Sequence, residues 1–276
     1  MSPLWPDRLG VALYPQRLVL ARSSGGARRR LTHKEIVDLA PAQPGEPPWA
    51  PALDALGAKA AAGQLARAEL TVVLSNHFVR YCVVPWSDSL GAEEEELAFA
   101  RHCFSRIYGE EAAGWRIKLS GAGAGKPRLA AAVEQALADA LDMHLAAPAA
   151  RYRSLQPHLM ASFNRSCARL GRRAAWLAVA EPGLVCIALL AEGCWQSVRT
   201  IKAGADWMAE LPGMLAREEC LADIQTECET VLVFAPDGPH AEVPRAGKWR
   251  VEPLLPAMLP GMIAGADEPF CVALGA

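Results

Sequence analysis

Apolar runs broken by tight turns open the chain and return after its midpoint, with helix-spaced segments between them. RLGVALYPQRLVLAR, Arg8 to Arg22, sets two Leu- and Val-rich runs on either side of Tyr14-Pro15-Gln16, which predicts a β-hairpin. AAWLAVAEPGLVCIALLAEGCWQSVRTI, Ala174 to Ile201, repeats the pattern around Glu181-Pro182-Gly183 and continues through a Glu192-Gly193 turn. Two such hairpins in one chain predict a duplicated architecture. Leu31–Ala40 then reads as a third strand or a short helix, and a Pro-rich link leads to an amphipathic helix over Ala52–Gly63.

The middle of the chain is patterned differently. Thr71–Leu74 is a continuous apolar strand, Ser75-Asn76-His77 a turn, and Phe78–Val84 a returning strand closed by Pro85. A helix over Ala92–Tyr108 opens with Glu93 to Glu96, where carboxylates suit the positive end of the helix dipole, and its apolar face is Leu97, Ala100, Phe104 and Ile107. WRIKLS and PRLAAAV read as hairpin strands around GAGAGK, or the latter as the start of the following Ala-rich helix, and a helix is expected over Pro157–Leu170. Beyond Ile201 come helices at Asp206–Leu215 and Arg217–Glu229, a strand at Val231–Ala235, the turn Pro236-Asp237-Gly238-Pro239, and a final strand or helix in EPFCVALGA.

The 276 residues, 52% hydrophobic and 21% charged, are enough for one large or two small packed domains. A net charge of −2 supplies no general basic field for nucleic acid, and the one dense basic run, Arg28-Arg29-Arg30, reads as a decorated hairpin tip. Eight cysteines without a CxxC pair predict reduced, mostly buried thiols and no metal site. The opening residues lack the pattern of a signal peptide, and no apolar run reaches the ~20 residues of a membrane span, so no direct membrane insertion is expected. GAGAGKP has Ser120 and Pro127 where a Walker loop needs Gly and Ser or Thr, and is expected to be a flexible hairpin tip. The histidines, His33, His77, His102, His144, His158 and His240, form no ligand pair and are read as surface or cap residues. No GxSxG elbow occurs, and the four consecutive glutamates point to different sides of a helix.

The order of these elements resembles the actin-like cytoplasmic proteins of type IV pilus and type II secretion platforms: the PilM group, the cytoplasmic part of GspL and MshI. The opening hairpin stands where the family has its first phosphate segment. LTVVLSNHFVRYCVVPW followed by EEEELAFARHCF is similar to the strand, turn, strand and Glu-rich helix that open the family's inserted subdomain. AEGCWQSVRTI is similar to its glycine turn and strand ending in Arg and Ile, VLVFAPDGPH stands at its adenosine turn, and CVALGA is similar to its closing segment. The resemblance implies an α/β, actin-like (ribonuclease H-like) fold of two mixed-sheet halves with an inserted small subdomain.

The departures matter as much. Positions where a working phosphate loop carries an acidic residue or small turn residues hold Ala12, Tyr14 and Pro15 in the first copy and Val179, Glu181 and Gly183 in the second. Pro236, Asp237 and Gly238 replace a Gly-Gly adenosine turn, and only about thirty residues separate Ile201 from Val231, too few for the subdomain that closes over nucleotide. Where GspL continues into a membrane anchor, this sequence stops.

The expected division is a first half over residues 1–83, an inserted subdomain over 84–150 and a second half over 151–276. The expected function is a non-enzymatic cytoplasmic scaffold without cofactor or metal, recruited to the inner membrane face by docking the cytoplasmic tail of a single-span pilus or secretion protein. The tail is expected in a cleft bordered by Phe78, Arg80, Leu97, Arg101 and Phe104. An actin-like ATPase or sugar-kinase-like enzyme with degenerate loops is the alternative, and a self-associating subunit, such as a homodimer, is a third reading.

Overall fold

The computed structural model describes residues 5–26, 28–145, 151–221, 228–238 and 247–275. The chain forms two compact units, one of Met1–Phe78, Ala136–Arg165 and Leu255–Ala276, the other of Val79–Gln135 and Ser166–Leu254.

In the first unit, β1 (Asp7–Tyr14), β2 (Arg17–Ser23) and β3 (Leu31–Asp38) form an antiparallel meander, with β4 (Ala68–Leu74) and β8 (Arg151–Pro157) added parallel to β1. The order is β3-β2-β1-β4-β8. The last six residues of β1 and the last five of β4 are buried, as expected of central strands covered on both faces, whereas edge strand β3 is largely exposed. Helix α1 (Ala50–Ala61) buries Ala52, Leu53 and Leu56. Gly57 of α1 lies so close to α3 (Gln135–Leu145) that a Cβ there would meet the His144 ring at 2.8 Å. Residues 136–145 therefore belong to the first unit rather than to the inserted one, unlike the division expected at residue 150.

The second unit repeats the pattern. β9 (Ala175–Glu181), β10 (Leu184–Ala191) and β11 (Cys194–Lys202) form the meander, and β12 (Thr230–Phe234) and β13 (Arg250–Pro253) add in parallel, giving β11-β10-β9-β12-β13. The two residues between β10 and β11, Glu192 and Gly193, have φ of 55° and 75°, the pairing a type I′ turn requires. Helix α5 (Trp207–Leu221) packs Leu211 and Leu215 onto a core that contains Trp176, Ile187, Val233 and Trp249. Between β11 and β12 the described residues form this one helix; of the stretch expected as a second helix, residues 222–227 lie outside the description.

The inserted subdomain is a three-stranded antiparallel sheet, β5 (Arg80–Val84), β7 (Arg128–Glu134) and β6 (Trp115–Leu119), in the order β5-β7-β6. β6 and β7 form the hairpin expected around GAGAGK. Helix α2 (Glu93–Tyr108) covers this sheet through Ala100 and Phe104. Its acidic first turn does more than match the dipole: the Glu95 carboxylate accepts from the Gly91 and Ala92 amides at 2.8 and 3.1 Å, which holds its pKa below the usual value.

Several expectations fail locally. β5 does not return onto β4; it leaves for its own sheet and lies against β11 without joining it in a ladder. Strands β8 and β13 were not expected at all. The final segment is a helix, α6 (Glu268–Ala273). His158, read as a surface or cap residue, is fully buried at the start of α4 (His158–Leu170), and His240 lies outside the described residues. Cys82, Cys186, Cys228 and Cys271 are buried, but Cys167 and Cys220 are exposed. Ile107 of the expected apolar face is 55% exposed, one residue before the C-terminal end of α2.

A candidate site at the hairpin turns and the acidic pocket of the second unit

Both hairpins close in two residues, the first with Pro at the leading position, Pro15-Gln16, and the second likewise, Pro182-Gly183. Gly183 has φ of 83°, the conformation a Pro-Gly turn needs at its second residue. Tyr14 and Glu181 occupy the same place, the last residue of the strand before the turn, and pair with Arg17 and Leu184.

In the first unit this place is filled by rings and a cation. Tyr14 is buried, the Arg17 guanidinium lies 4.3 Å from its ring centroid, and the His158 ring meets it edge-on at 6.0 Å. Nearby, the buried Asn76 side-chain oxygen accepts from the Leu159 amide at 3.1 Å, so the Ser75-Asn76-His77 turn caps α4. Ala12, opposite Val19 and Val73, is enclosed in the sheet. A phosphate would find side-chain packing here instead of open backbone amides.

The second unit keeps a cavity. Ala180, Glu181, Pro182 and Gly183 of the turn, residues 203–205 and Trp207 before and in α5, and Ala235, Asp237 and Gly238 after β12 line an open pocket of about 400 Å³. Two segments singled out as degenerate phosphate and adenosine positions thus converge on one site. Pro236 is buried beside it, and Val179 lies wholly inside the sheet. The lining carries Glu181, only 4% exposed, and Asp237, and among the described residues it includes no Lys or Arg. A phosphate 4 Å from the buried Glu181 carboxylate would meet a repulsion of about 4 kcal/mol at an effective dielectric near 20, and less beside the exposed Asp237. The Cys186 thiol, pushed up to about 12 by burial and by the Glu181 charge, adds no nucleophile. Among the described residues no group of three or more His, Cys, Asp or Glu side chains could hold a metal ion.

Two of the five expected partner-binding residues are buried. Phe78 is 6% exposed and belongs to the first unit, whereas Arg80, Leu97, Arg101 and Phe104 belong to the second. Phe104 is 0% exposed, packed between Tyr108 and Trp115 at centroid distances of 6.1 and 6.0 Å, so it supports the subdomain and cannot anchor a ligand. Leu97 is half-buried against the same core, and Arg80 and Arg101 are exposed. Arg101 donates to the Trp115 carbonyl at 3.4 Å. Sequence reasoning missed the pocket itself, for Glu181 and Asp237 meet only through the parallel pairing of β9 with β12.

No protein-family model matches the sequence, and no curated protein matches it either. Solved structures do. The cytoplasmic domain of EpsL, an inner membrane component of the type II secretion system of Vibrio cholerae, is similar over 98% of this chain and 94% of that one, with a TM-score of 0.61 at 12% identity. A chain of the PilM-PilN type IV pilus biogenesis complex gives 0.67 at 17% identity over 97% and 96%. A Bacteroides thetaiotaomicron protein of actin-like ATPase fold gives 0.53 at 9% identity over 85% and 83%. Identities this low carry the fold and not the activity. The chain has the actin-like α/β fold found in the EpsL cytoplasmic domain and the PilM-PilN complex, the same proteins its order of elements resembles.

Proposed function

We propose that the chain is a non-enzymatic cytoplasmic scaffold of a type IV pilus or type II secretion-like assembly platform, which docks the cytoplasmic tail of an inner-membrane partner. The observation that carries this reading is the likeness, over nearly the full length of both chains, to a structure solved as a complex of two pilus proteins. The acidic pocket supports its non-enzymatic half, because two carboxylates in its lining, with no cation beside them among the described lining residues, disfavour a nucleotide's phosphates. Among the described residues no helix is long and apolar enough to cross a membrane, in keeping with recruitment through a partner.

With Phe78 and Phe104 buried, the tail contacts fall to Arg80, Leu97 and Arg101 of the second unit. An extended peptide would offer carbonyls or carboxylates to the two guanidinium groups and an apolar side chain to Leu97. Fluorescence titration with the tail of a single-span membrane protein encoded beside this one should give roughly micromolar affinity, about 8 kcal/mol. The Arg80→Ala, Arg101→Ala double variant should weaken it at least tenfold with unchanged melting temperature. Equal binding by the variant would remove these residues from the site, and no binding by the wild type would overturn the scaffold reading.

A further inference from the structure

The arginine run at 28–30 finds company at one end of the first sheet. Parallel pairing sets Arg8 opposite Glu69 and Glu69 opposite Arg151, so the starts of β1, β4 and β8 lie side by side. Arg29 in the β2–β3 connection and Arg153 on β8 reach the same place. Together with Trp5 and Tyr152 these residues line an open cavity of about 490 Å³. Four guanidinium groups face one carboxylate. Glu69 lies 3.8 Å from Arg8 and 3.2 Å from Arg153, and neither Arg29 nor Arg151 has a carboxylate partner among the described residues. The residues that line the cavity therefore carry an excess of three positive charges, in a chain whose net charge is −2.

Two further features say what such a cavity accepts. The arginines repel one another: burial and then the charges of Arg29 and Arg153 lower the pKa of Arg8, so a polyanion between them would relieve a standing cost. Trp5 is 69% exposed and Tyr152 46%, rings set beside the charges at the rim. Guanidinium forks match phosphate oxygens in pairs, and exposed Trp and Tyr suit the group a phosphate is attached to or the headgroup layer of a bilayer. The cavity has room for a phosphate with its substituent.

We propose that this cavity binds a phosphate-bearing ligand with at least two negative charges, either a soluble pyrophosphate compound or the headgroups of an anionic lipid. It is independent of tail docking, whose residues lie in the other unit. Calorimetry with inorganic pyrophosphate, and sedimentation with phosphatidylglycerol vesicles against neutral phosphatidylcholine ones, separate the two sources. Saturable binding to one of them is expected, weakening as salt shortens the Debye length. The Arg29→Gln, Arg151→Gln variant, which breaks no ion pair described above, should bind about 25-fold more weakly, about fivefold per arginine, with an unchanged melting temperature. Pyrophosphate binding alone assigns a soluble ligand. Vesicle binding alone, reduced further by Trp5→Ala, assigns the lipid. Failure to bind either probe, binding that the double variant leaves intact, or tighter binding to a single-stranded oligonucleotide lost in that variant would each overturn the proposal.

Discussion

Phe104 shows how depth separates residues that share a helical stripe. Leu97, Ala100, Phe104 and Ile107 are spaced alike, yet Ala100 and Phe104 are fully buried, Leu97 is half-buried and Ile107 is open to solvent. Spacing gave the side of the helix; the ring contacts of Phe104 with Tyr108 and Trp115 gave the depth. Phe104→Ala should destabilise by about 3 to 5 kcal/mol in urea unfolding, against about 0.5 or less for Arg101→Ala. Equal midpoints would show that this core is misplaced. Val133 and Val233 teach the same lesson, since both were legible as strand residues but only Val233 is buried. A second residue-scale test uses Asp267, whose side chain is 3% exposed and accepts from Lys34 Nζ at 2.6 and 2.8 Å and from the Ile263 amide at 3.0 Å. Burial pushes its pKa up, but the Lys34 and Ile263 hydrogen bonds and the Lys34 charge leave it below the usual carboxylate value. A lowered folded-state pKa gives stability that is present above the unfolded value near ~4 and lost as pH falls through the folded one. Lys34→Met should cost about 1 kcal/mol at neutral pH, because the lysine is 42% exposed and Asp267 keeps the Ile263 amide, and the gap from wild type should narrow below about pH 4 in thermal melts. A gap that stays constant on acidification would mean that the pair contributes no pH-dependent stability.

At the scale of elements, β1 and α6 approach each other backbone to backbone. A Cβ on Gly10 would stand 2.1 Å from the Ala273 carbonyl oxygen, so only glycine lets this helix lie on this strand. Gly10→Ala should cost at least the 1 to 3 kcal/mol of an overpacked site. Hydrogen exchange should then show α6 amides losing protection while those of α5 keep theirs; unchanged α6 protection would contradict the contact. The elements that sequence reasoning found carry either a continuous apolar run between turn residues, such as β1 and β9, or an apolar stripe, such as α2, because burial leaves one or the other in the sequence. β8 and β13 escaped it. RYRSLQP and RVEP hold their places by backbone pairing at a parallel sheet edge, where side chains remain largely exposed and leave no alternation to read. The closing segment is ambiguous for a different reason, since a run of six residues buried at every position has neither period and is too short for length to tell strand from helix.

For the whole molecule, the duplicated meander was legible from two Pro-led turns, while the acidic pocket was not, because it depends on which strands lie next to each other. Those two turns argue for a null result in calorimetry: magnesium and ATP should give no saturable heat at sub-millimolar nucleotide. Micromolar binding with hydrolysis would instead promote the enzyme reading. The contact of Gly10 with Ala273 also constrains how the protein is made. The first unit gathers residues from three stretches of the chain, and its last helix is translated about 250 residues after the strand it covers. At ~5 to 20 residues per second the opening sheet waits on the order of tens of seconds at the ribosome without its lid. During that interval the apolar β1–β2 surface is available to chaperones, while the second unit, which needs nothing beyond Leu254, can already be complete.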